Sequence, residues 1–381
     1  SSALIIEKTP LVIFSAVMAF VTFSIQSDRA VASVEYHDYL ERFCFAGFGI
    51  IWYLIKFIFP WPLSGLHPFP DHLNLVYYGA TFLSIAGITF LIWKVRNRNV
   101  LFAFGFYLVN LILVLQIVAV GNAVVAERYT YVPYISLAFL LCVTGYELIK
   151  NKWKDIQTIV LSLFIVWILV LSYITFTRIP VWKNSETFWN NVLKQYPESP
   201  RAWTNRGLYF YDLKDWPKAI NDLSDALKHN PAFPNALEWR AKAYLEVGQG
   251  DKAFADAQAF YNLYPEKPDA MAVLARSYDA TNRQDEALKL YDQLIPLVPH
   301  IPEYINNRGV IYFNSLRRYA EAKADFERAI SLDANNGVYY LNLSRCYYMM
   351  GDNGKAKENA QKAKQLGQII ASEYGQVIGL E

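Results

Sequence analysis

The chain is short of charge. Of its 381 residues, 18% are Asp, Glu, Lys or Arg, against roughly 25% in an ordinary soluble domain. The deficit is local. From Leu11 to Thr177 apolar runs are broken only by short polar joints, whereas from Arg178 onward the composition is that of a soluble protein. A formal net charge of +2 and the lack of a basic stripe give no case for a nucleic-acid partner. Cysteine is scarce too. Cys44 and Cys142 lie in apolar runs and Cys346 in the polar half, so no disulfide framework is expected and the redox compartment is not encoded. No Gly-rich phosphate loop, metal-ligand spacing or nucleophile elbow is found, so neither cofactor nor metal is expected. His67, Asp71 and His72 share the stretch "HPFPDH" (67–72), which reads either as a polar loop or as a metal-binding group. The first apolar run lacks a positive n-region and a small-residue cleavage site, which disfavours a signal peptide.

What is present in the first half is apolar length. A bilayer core of about 30 Å needs roughly 20 apolar residues in a helix. Runs at 72–93, 100–121, 134–150 and 155–177 predict spans, and 9–26 a further one. The 13-residue run "FCFAGFGIIWYLI" (43–55), bounded by Arg42 and Lys56, is short for a span and predicts a re-entrant or interfacial helix over 40–59. Orientation follows from the basic joints "KVRNRN" (94–99) and 150–154, the latter holding Lys150, Lys152 and Lys154. Both should face the cytoplasm. Two spans separate them, so the two assignments agree. The segments 60–72 and 122–133, and everything after Thr177, then face outward. A bacterial inner membrane with the remainder in the periplasm fits this arrangement.

The outward stretch "NAVVAERYTYVPYISLAFLL" (122–141) places Glu127 and Arg128 side by side, followed by Tyr129, Tyr131 and Tyr134. Three readings apply. The pair can mark the end of a span within an interfacial tyrosine belt. Arg128 can hold an anionic head group, the phosphate of a lipid-linked donor, with Glu127 orienting it and Tyr131 closing the pocket. Or the carboxylate and guanidinium can make a purely structural contact to a neighbouring loop.

In the second half "PESP" (197–200), "PAFP" (231–234), "PEKP" (265–268) and "PHIP" (299–302) recur every 34 residues. That period belongs to the tetratricopeptide helix–turn–helix unit. Small residues keep the register at Gly207, Ala241, Ala275, Gly309 and Ser344, and aromatics follow at Phe210, Tyr244, Tyr278, Tyr312 and Tyr347. Alanine recurs at 219, 253, 287, 322 and 356, with one extra residue near Arg317–Tyr319. Asn205, Asn307 and Asn342 share one repeat position, interrupted by Trp239 and Val273. Such amides can hydrogen-bond an extended polypeptide, or can be structural.

Several motifs together resemble the transmembrane and tetratricopeptide-repeat O-mannosyltransferases and their bacterial relatives. They are "EKTP" (7–10), "IFPWPLSGLHPFP" (58–70), "AERYTYVPYISL" (126–137) and "RIPVWKNSETFWNNVLKQYPESPRAW" (178–203). The resemblance implies a C-superfamily membrane glycosyltransferase that moves a sugar from a polyprenyl-phosphate donor to a hydroxyl of an exported protein held by the repeats. By the same resemblance Arg42 joins Arg128, Glu127 and Tyr131 as a lipid-phosphate ligand. The family's early acidic loop, which would supply the base, has no counterpart here, so no catalytic residue is assigned.

The expected fold is all-α. A polytopic transmembrane helical domain (1–177) is followed by a junction and half-repeat (178–199), five tetratricopeptide repeats (200–366) and a C-terminal cap (367–381). The expected function is the C-terminal part of a membrane protein glycosyltransferase, its partners the membrane, the lipid-linked donor and a polypeptide. The alternative is a non-catalytic membrane-anchored scaffold that recruits partners in an envelope or export complex.

Overall fold

The computed structural model describes residues 38–70, 73–112, 114–115, 123–150 and 154–380. The chain divides into two compact units, Ser1–Pro197 and Glu198–Glu381. Among the described residues the regular structure is helical, and one isolated β-bridge joins His67 to Val125.

In the first unit α1 spans Tyr39–Ile58, α2 Leu75–Lys94, α3 Arg98–Leu111, α4 Pro133–Lys150, α5 Lys154–Arg178 and α6 Ser185–Gln195. The charges that bracket the 43–55 run lie inside α1 rather than at its ends. Asp38 accepts from the Glu41 N–H at 2.7 Å while the Glu41 side chain returns to the Asp38 N–H, a capping box that starts the helix early. At the other end Lys56 lies in the last turn and donates from Nζ to the Pro62 carbonyl at 2.8 Å. The resulting helix has 20 residues.

α1 packs on α2 through small residues. A Cβ added at Gly47 would lie 2.6 Å from the Thr81 Cα. Thr81 Oγ1 donates to the Cys44 carbonyl at 3.1 Å and Ser84 Oγ to the Gly47 carbonyl at 2.7 Å. The small residues let the two backbones approach closely, and the two hydroxyls bond across the contact. Beneath them Phe45, Tyr53, Tyr107, Leu111, Val124, Val125 and Leu137 form one buried cluster.

α3 occupies only the first part of the 100–121 run, much of whose remainder lies outside the described residues. α3 ends at Leu111, and the Val114 and Leu115 N–H groups both return to the Leu111 carbonyl in a turn. Tyr107, Leu111 and Leu115 of that run are buried in the α1 core, with Val124 and Val125 beyond it, so part of the run serves protein packing. α4 carries Glu147 and Lys150 near its end, which leaves its apolar stretch shorter than a bilayer core. Among the described residues two helices are long and apolar enough to cross a membrane, Leu75–Lys94 and Gln157–Trp182. The predicted span at 9–26 lies outside the described residues.

The second unit is five helix pairs and a short terminal helix: α7 (Pro200–Asp212) and α8 (Trp216–His229), α9 (Pro234–Glu246) and α10 (Gly250–Leu263), α11 (Pro268–Ala280) and α12 (Gln284–Leu297), α13 (Pro302–Asn314) and α14 (Tyr319–Leu332), α15 (Gly337–Met349) and α16 (Asn353–Gln365), then α17 (Ser372–Val377). The recurring proline pairs have a direct cause. The second proline of each motif is the first residue of α7, α9, α11 and α13, where its missing N–H costs nothing and its fixed φ starts the helix.

Each pair turns on one left-handed residue: Lys214, Gly248, Asn282, Arg317 and Gly351. In every turn the N–H one residue beyond returns to the aromatic carbonyl of the first helix. These bonds are Asp215 to Phe210, Gln249 to Tyr244, Arg283 to Tyr278, Arg318 to Tyr312 and Asp352 to Tyr347, at 2.8 to 2.9 Å. The extra residue of the fourth repeat therefore lies in the turn ending at Arg317. Ala219, Ala253, Ala287, Ala322 and Ala356 are fully buried where the helices of a pair meet.

Candidate functional site

Two regions concentrate polar chemistry, one in each unit. In the first, the ends of α1 and α5 and the 124–127 segment before α4 meet the 59–70 loop. Arg178, in the last turn of α5, donates from Nη2 to Glu127 Oε2 at 3.2 Å and from Nη1 to the Leu63 carbonyl at 2.7 Å. Gln195 of α6 donates to the same carbonyl at 2.6 Å. The Val124 N–H bonds the His67 carbonyl at 3.0 Å, and His67 Nδ1 pairs with the Tyr196 hydroxyl. His67 is buried, and among the described residues its Nε2 has no hydrogen-bond partner.

This burial sets the titration. Removal from water pushes the Glu127 carboxyl up to about 7, against the opposing pull of the Arg178 guanidinium, the Ser64 N–H and Lys56. Burial, then the charges of Lys56 and Arg178, push His67 down to about 4. The His67 ring is therefore neutral at physiological pH. It packs edge-on against Trp52, with centroids 4.7 Å apart, and works as a wedge between α1 and the segment after α6. Among the described residues no group of His, Cys, Asp and Glu is placed to hold a metal; Asp71 and His72 lie outside them.

Glu127 thus turns to Arg178, fifty-one positions away in sequence, and not to its neighbour Arg128. The orienting role expected of Glu127 has no geometric support. Only its Oε2 is engaged by Arg178; Oε1 is buried and, among the described residues, has no hydrogen-bond partner. Arg128 is exposed, its guanidinium 5.2 Å from the Tyr129 ring centroid. Tyr131 is exposed in the turn before α4. Arg42 lies one turn along α1 from Tyr39, over whose ring it sits at 5.5 Å. The structure brings Glu127 to Arg178 and Lys56; it does not gather Arg42, Arg128 and Tyr131 around Glu127. Arg178 is the residue that sequence reasoning missed. Its place at the start of "RIPVWKNSETFW" (178–189) was visible, but its partner was not.

In the second unit the three asparagines occupy the first helices of their repeats and are half-buried. They do not form a regular ladder. Asn342 Nδ2 donates to Asn306 Oδ1 at 2.9 Å, and Asn306 Nδ2 to Asn307 Oδ1 at 3.4 Å, so the amides of repeats four and five form a chain through Asn306. At the interrupting positions Trp239 stacks edge-on with Tyr211, centroids 5.0 Å apart, and Val273 is buried in the core. Asn205 stands apart on α7.

A second periodic feature escaped the sequence reading. Arg206 pairs with Asp222, Arg240 with Asp256 and Arg308 with Asp325, each through two bonds of 2.7 to 2.9 Å. Each pair joins the two helices of one repeat. In the third repeat the same places hold Leu274 and Leu290, both buried. Arg240 also reaches Ser224 at 3.1 Å and Arg308 reaches Asp292 at 2.7 Å, which ties the second repeat to the first and the fourth to the third.

The recurring turn, the buried alanines and the ion pair all keep one period. The family profile of the tetratricopeptide repeat matches residues 186–236, 205–268 and 240–301, and a second profile of the same repeat matches 302–336. Residues 186–336 are tetratricopeptide repeats. The second unit is accordingly a tetratricopeptide-repeat superhelix, a fold that offers extended surfaces to other proteins.

Solved structures similar to the chain are of the same kind. A thermophilic tetratricopeptide-repeat protein from Thermus thermophilus is 22% identical, with a TM-score of 0.43, covering 48% of this chain and 98% of that one. A tetratricopeptide-repeat protein from Parabacteroides merdae is 16% identical, with a TM-score of 0.45, covering 67% and 93%. YrrB, described as a tetratricopeptide-repeat protein with an unusual peptide-binding site, is 15% identical, with a TM-score of 0.35, covering 47% and 92%. No curated protein matches the chain.

Proposed function

We propose that this protein is a membrane-anchored scaffold whose tetratricopeptide repeats hold a polypeptide partner on the outward side of the membrane. One observation carries the anchor. Gln157–Trp182 is a 26-residue apolar helix, none of whose apolar window is buried by the rest of the protein. At 1.5 Å per residue it extends about 39 Å, enough for the roughly 30 Å hydrocarbon core. An apolar surface on all sides of an isolated helix is unfavourable in water and favourable in lipid. Leu75–Lys94 is the second span, and the small-residue packing of α1 on α2 fits the same solvent. The basic joints at 94–99 and 150–154 put the repeats outside, in the periplasm if the membrane is a bacterial inner one.

Topology tests this directly. In a Cys142→Ser background, an impermeant thiol reagent added to intact cells should label Asp251→Cys and spare Arg96→Cys. Both positions are exposed. Labelling of Arg96→Cys alone would put the repeats in the cytoplasm and refute the reading.

A second reading makes this chain the C-terminal part of a polyprenyl-phosphate-dependent protein O-glycosyltransferase, with the repeats presenting the acceptor. Its support is the motif resemblance and the exposure of Arg128 beside Tyr131, where a guanidinium is free to fork a lipid phosphate. In this reading Arg128 carries the phosphate contact, because Glu127 is bonded to Arg178 rather than to Arg128. Loss of sugar transfer in Arg128→Ala, with only partial return in Arg128→Lys, supports the enzyme. Transfer at the wild-type level in Arg128→Ala leaves the scaffold.

A further inference from the structure

We propose that the outward end of the first unit carries a lipid-facing collar, made by 59–62 and 176–183, that seats in the head-group layer of the bilayer. The proposal rests on the membrane reading above and specifies where the protein meets the interface. Five large apolar side chains stand out at this end: Phe59 is 69% exposed, Trp61 74%, Phe176 72%, Ile179 62% and Trp182 53%. In a protein surrounded by water, such exposure on adjoining segments is unfavourable.

These side chains do not hang from a loose loop. Lys56 Nζ bonds the Pro62 carbonyl at 2.8 Å and Arg178 Nη1 the Leu63 carbonyl at 2.7 Å. On the other side Thr187 Oγ1 bonds the Val181 carbonyl at 3.1 Å, and the rings of Trp182 and Phe188 lie 5.1 Å apart. The fold therefore uses hydrogen bonds to hold apolar surface outward.

Lipid is the occupant that the surroundings select. The collar is continuous with α5, whose apolar circumference runs straight into Phe176, Ile179 and Trp182. Tryptophan and other amphipathic side chains prefer the depth at which acyl chains give way to head groups. The exposed charges at this end, Arg128 and Lys183, are cationic and match phosphate. Glu127 is half-buried and its charge is opposed by that of Arg178, 3.2 Å away. A protein partner would need an apolar surface shaped to this rim and to the helix below it.

Depth measurement decides the matter. The full chain, with Cys142→Ser and with Cys44 and Cys346 left in place because they are buried, takes a nitroxide at Trp61→Cys, Trp182→Cys, Val166→Cys or Asp251→Cys. It is then reconstituted in phosphatidylcholine–phosphatidylglycerol vesicles. Accessibility to oxygen and to an aqueous nickel chelate is read by power saturation. The collar predicts nickel accessibility at positions 61 and 182 several-fold below that at 251, with oxygen accessibility retained and a depth shallower than at 166. If 166 is deep while 61 and 182 see nickel as freely as 251, the collar is refuted and the span stands. If 166 also sees nickel freely, the membrane reading falls with it. Shielding of 61 and 182 from both probes would mean a protein cover, a second copy included, and would equally refute the proposal.

Discussion

Replacing Asp256 by leucine removes the acceptor of both guanidinium bonds that Arg240 makes within its repeat, each 2.7 Å long. The side chains are 21% and 9% exposed, so neither is fully hydrated. Breaking a buried pair by removing one partner costs about 3–5 kcal/mol, because the other charge is left uncompensated. The residual exposure of Arg240 and its bond to Ser224 place this case at the low end, about 3 kcal/mol. The third repeat supplies the compensating change. There Leu274 and Leu290 fill the equivalent places and are buried without a charge. The double change Arg240→Leu/Asp256→Leu should therefore return to within about 1 kcal/mol of the native protein, since apolar replacement of both partners is often neutral or stabilising. The assay is native-state hydrogen exchange of the full chain, read on peptides from α9 and α10, where opening is local. A loss of about 3 kcal/mol appears as exchange on the order of 100-fold faster. Native protection in Asp256→Leu, or a double variant that exchanges as fast as the single one, would refute the view that the pair is an exchangeable packing unit.

Other changes test separate parts of the fold. Gly309→Leu should lower the midpoint of repeat unfolding, because even a Cβ there would lie 2.8 Å from the Phe326 ring; overpacking such a crossing costs about 1–3 kcal/mol. Lys214→Gly should stabilise the first repeat by up to about 1 kcal/mol, since Lys214 sits at φ 58° where the equivalent residues of repeats two and five are glycine. An unchanged or lower denaturation midpoint would contradict this. Glu127→Gln tests the buried carboxyl. Its folded pKa is raised to about 7, so the folded state holds a proton that the unfolded state has lost, and wild-type stability falls as pH rises from the ordinary carboxylate range to about 7. The glutamine variant should melt higher than wild type at pH 8 and show a smaller advantage at pH 5; equal melting differences at both would exclude the raised carboxyl. His67 works in the opposite sense. Its folded pKa is lowered to about 4, so stability is lost as pH falls from about 6.5 toward 4, and His67→Phe should remove that dependence.

The repeat unit was legible in the sequence because its determinants are local and recur. A proline that begins a helix, a small residue at a crossing and an aromatic before a turn act on neighbours within one period. Each repeat then reports on the next. The Arg–Asp pairs shared that periodicity, but a half-buried ion pair is recognisable only once the two helices are seen to face each other. The asparagine position was visible, yet its geometry was not. Asn306, at the adjacent place, connects Asn307 to Asn342, and Val273 turns into the core.

For the first unit, the sequence by itself determined that long apolar segments exist, which ends carry the basic joints, and that Glu127 and Arg128 fall at the end of one of them. Hydropathy measures aversion to water and does not say whether lipid or protein will cover a side chain. Tertiary structure decided that. It turned part of the 100–121 run into a buried support for Tyr53 while leaving α5 uncovered. It also decided the partner of Glu127. Adjacent residues in a short turn point their side chains apart, so the charge next in sequence is a poor candidate. The carboxylate is met by Arg178 from the end of another helix, an encounter that exists only after the 124–127 segment, α5 and the 59–70 loop have been packed together.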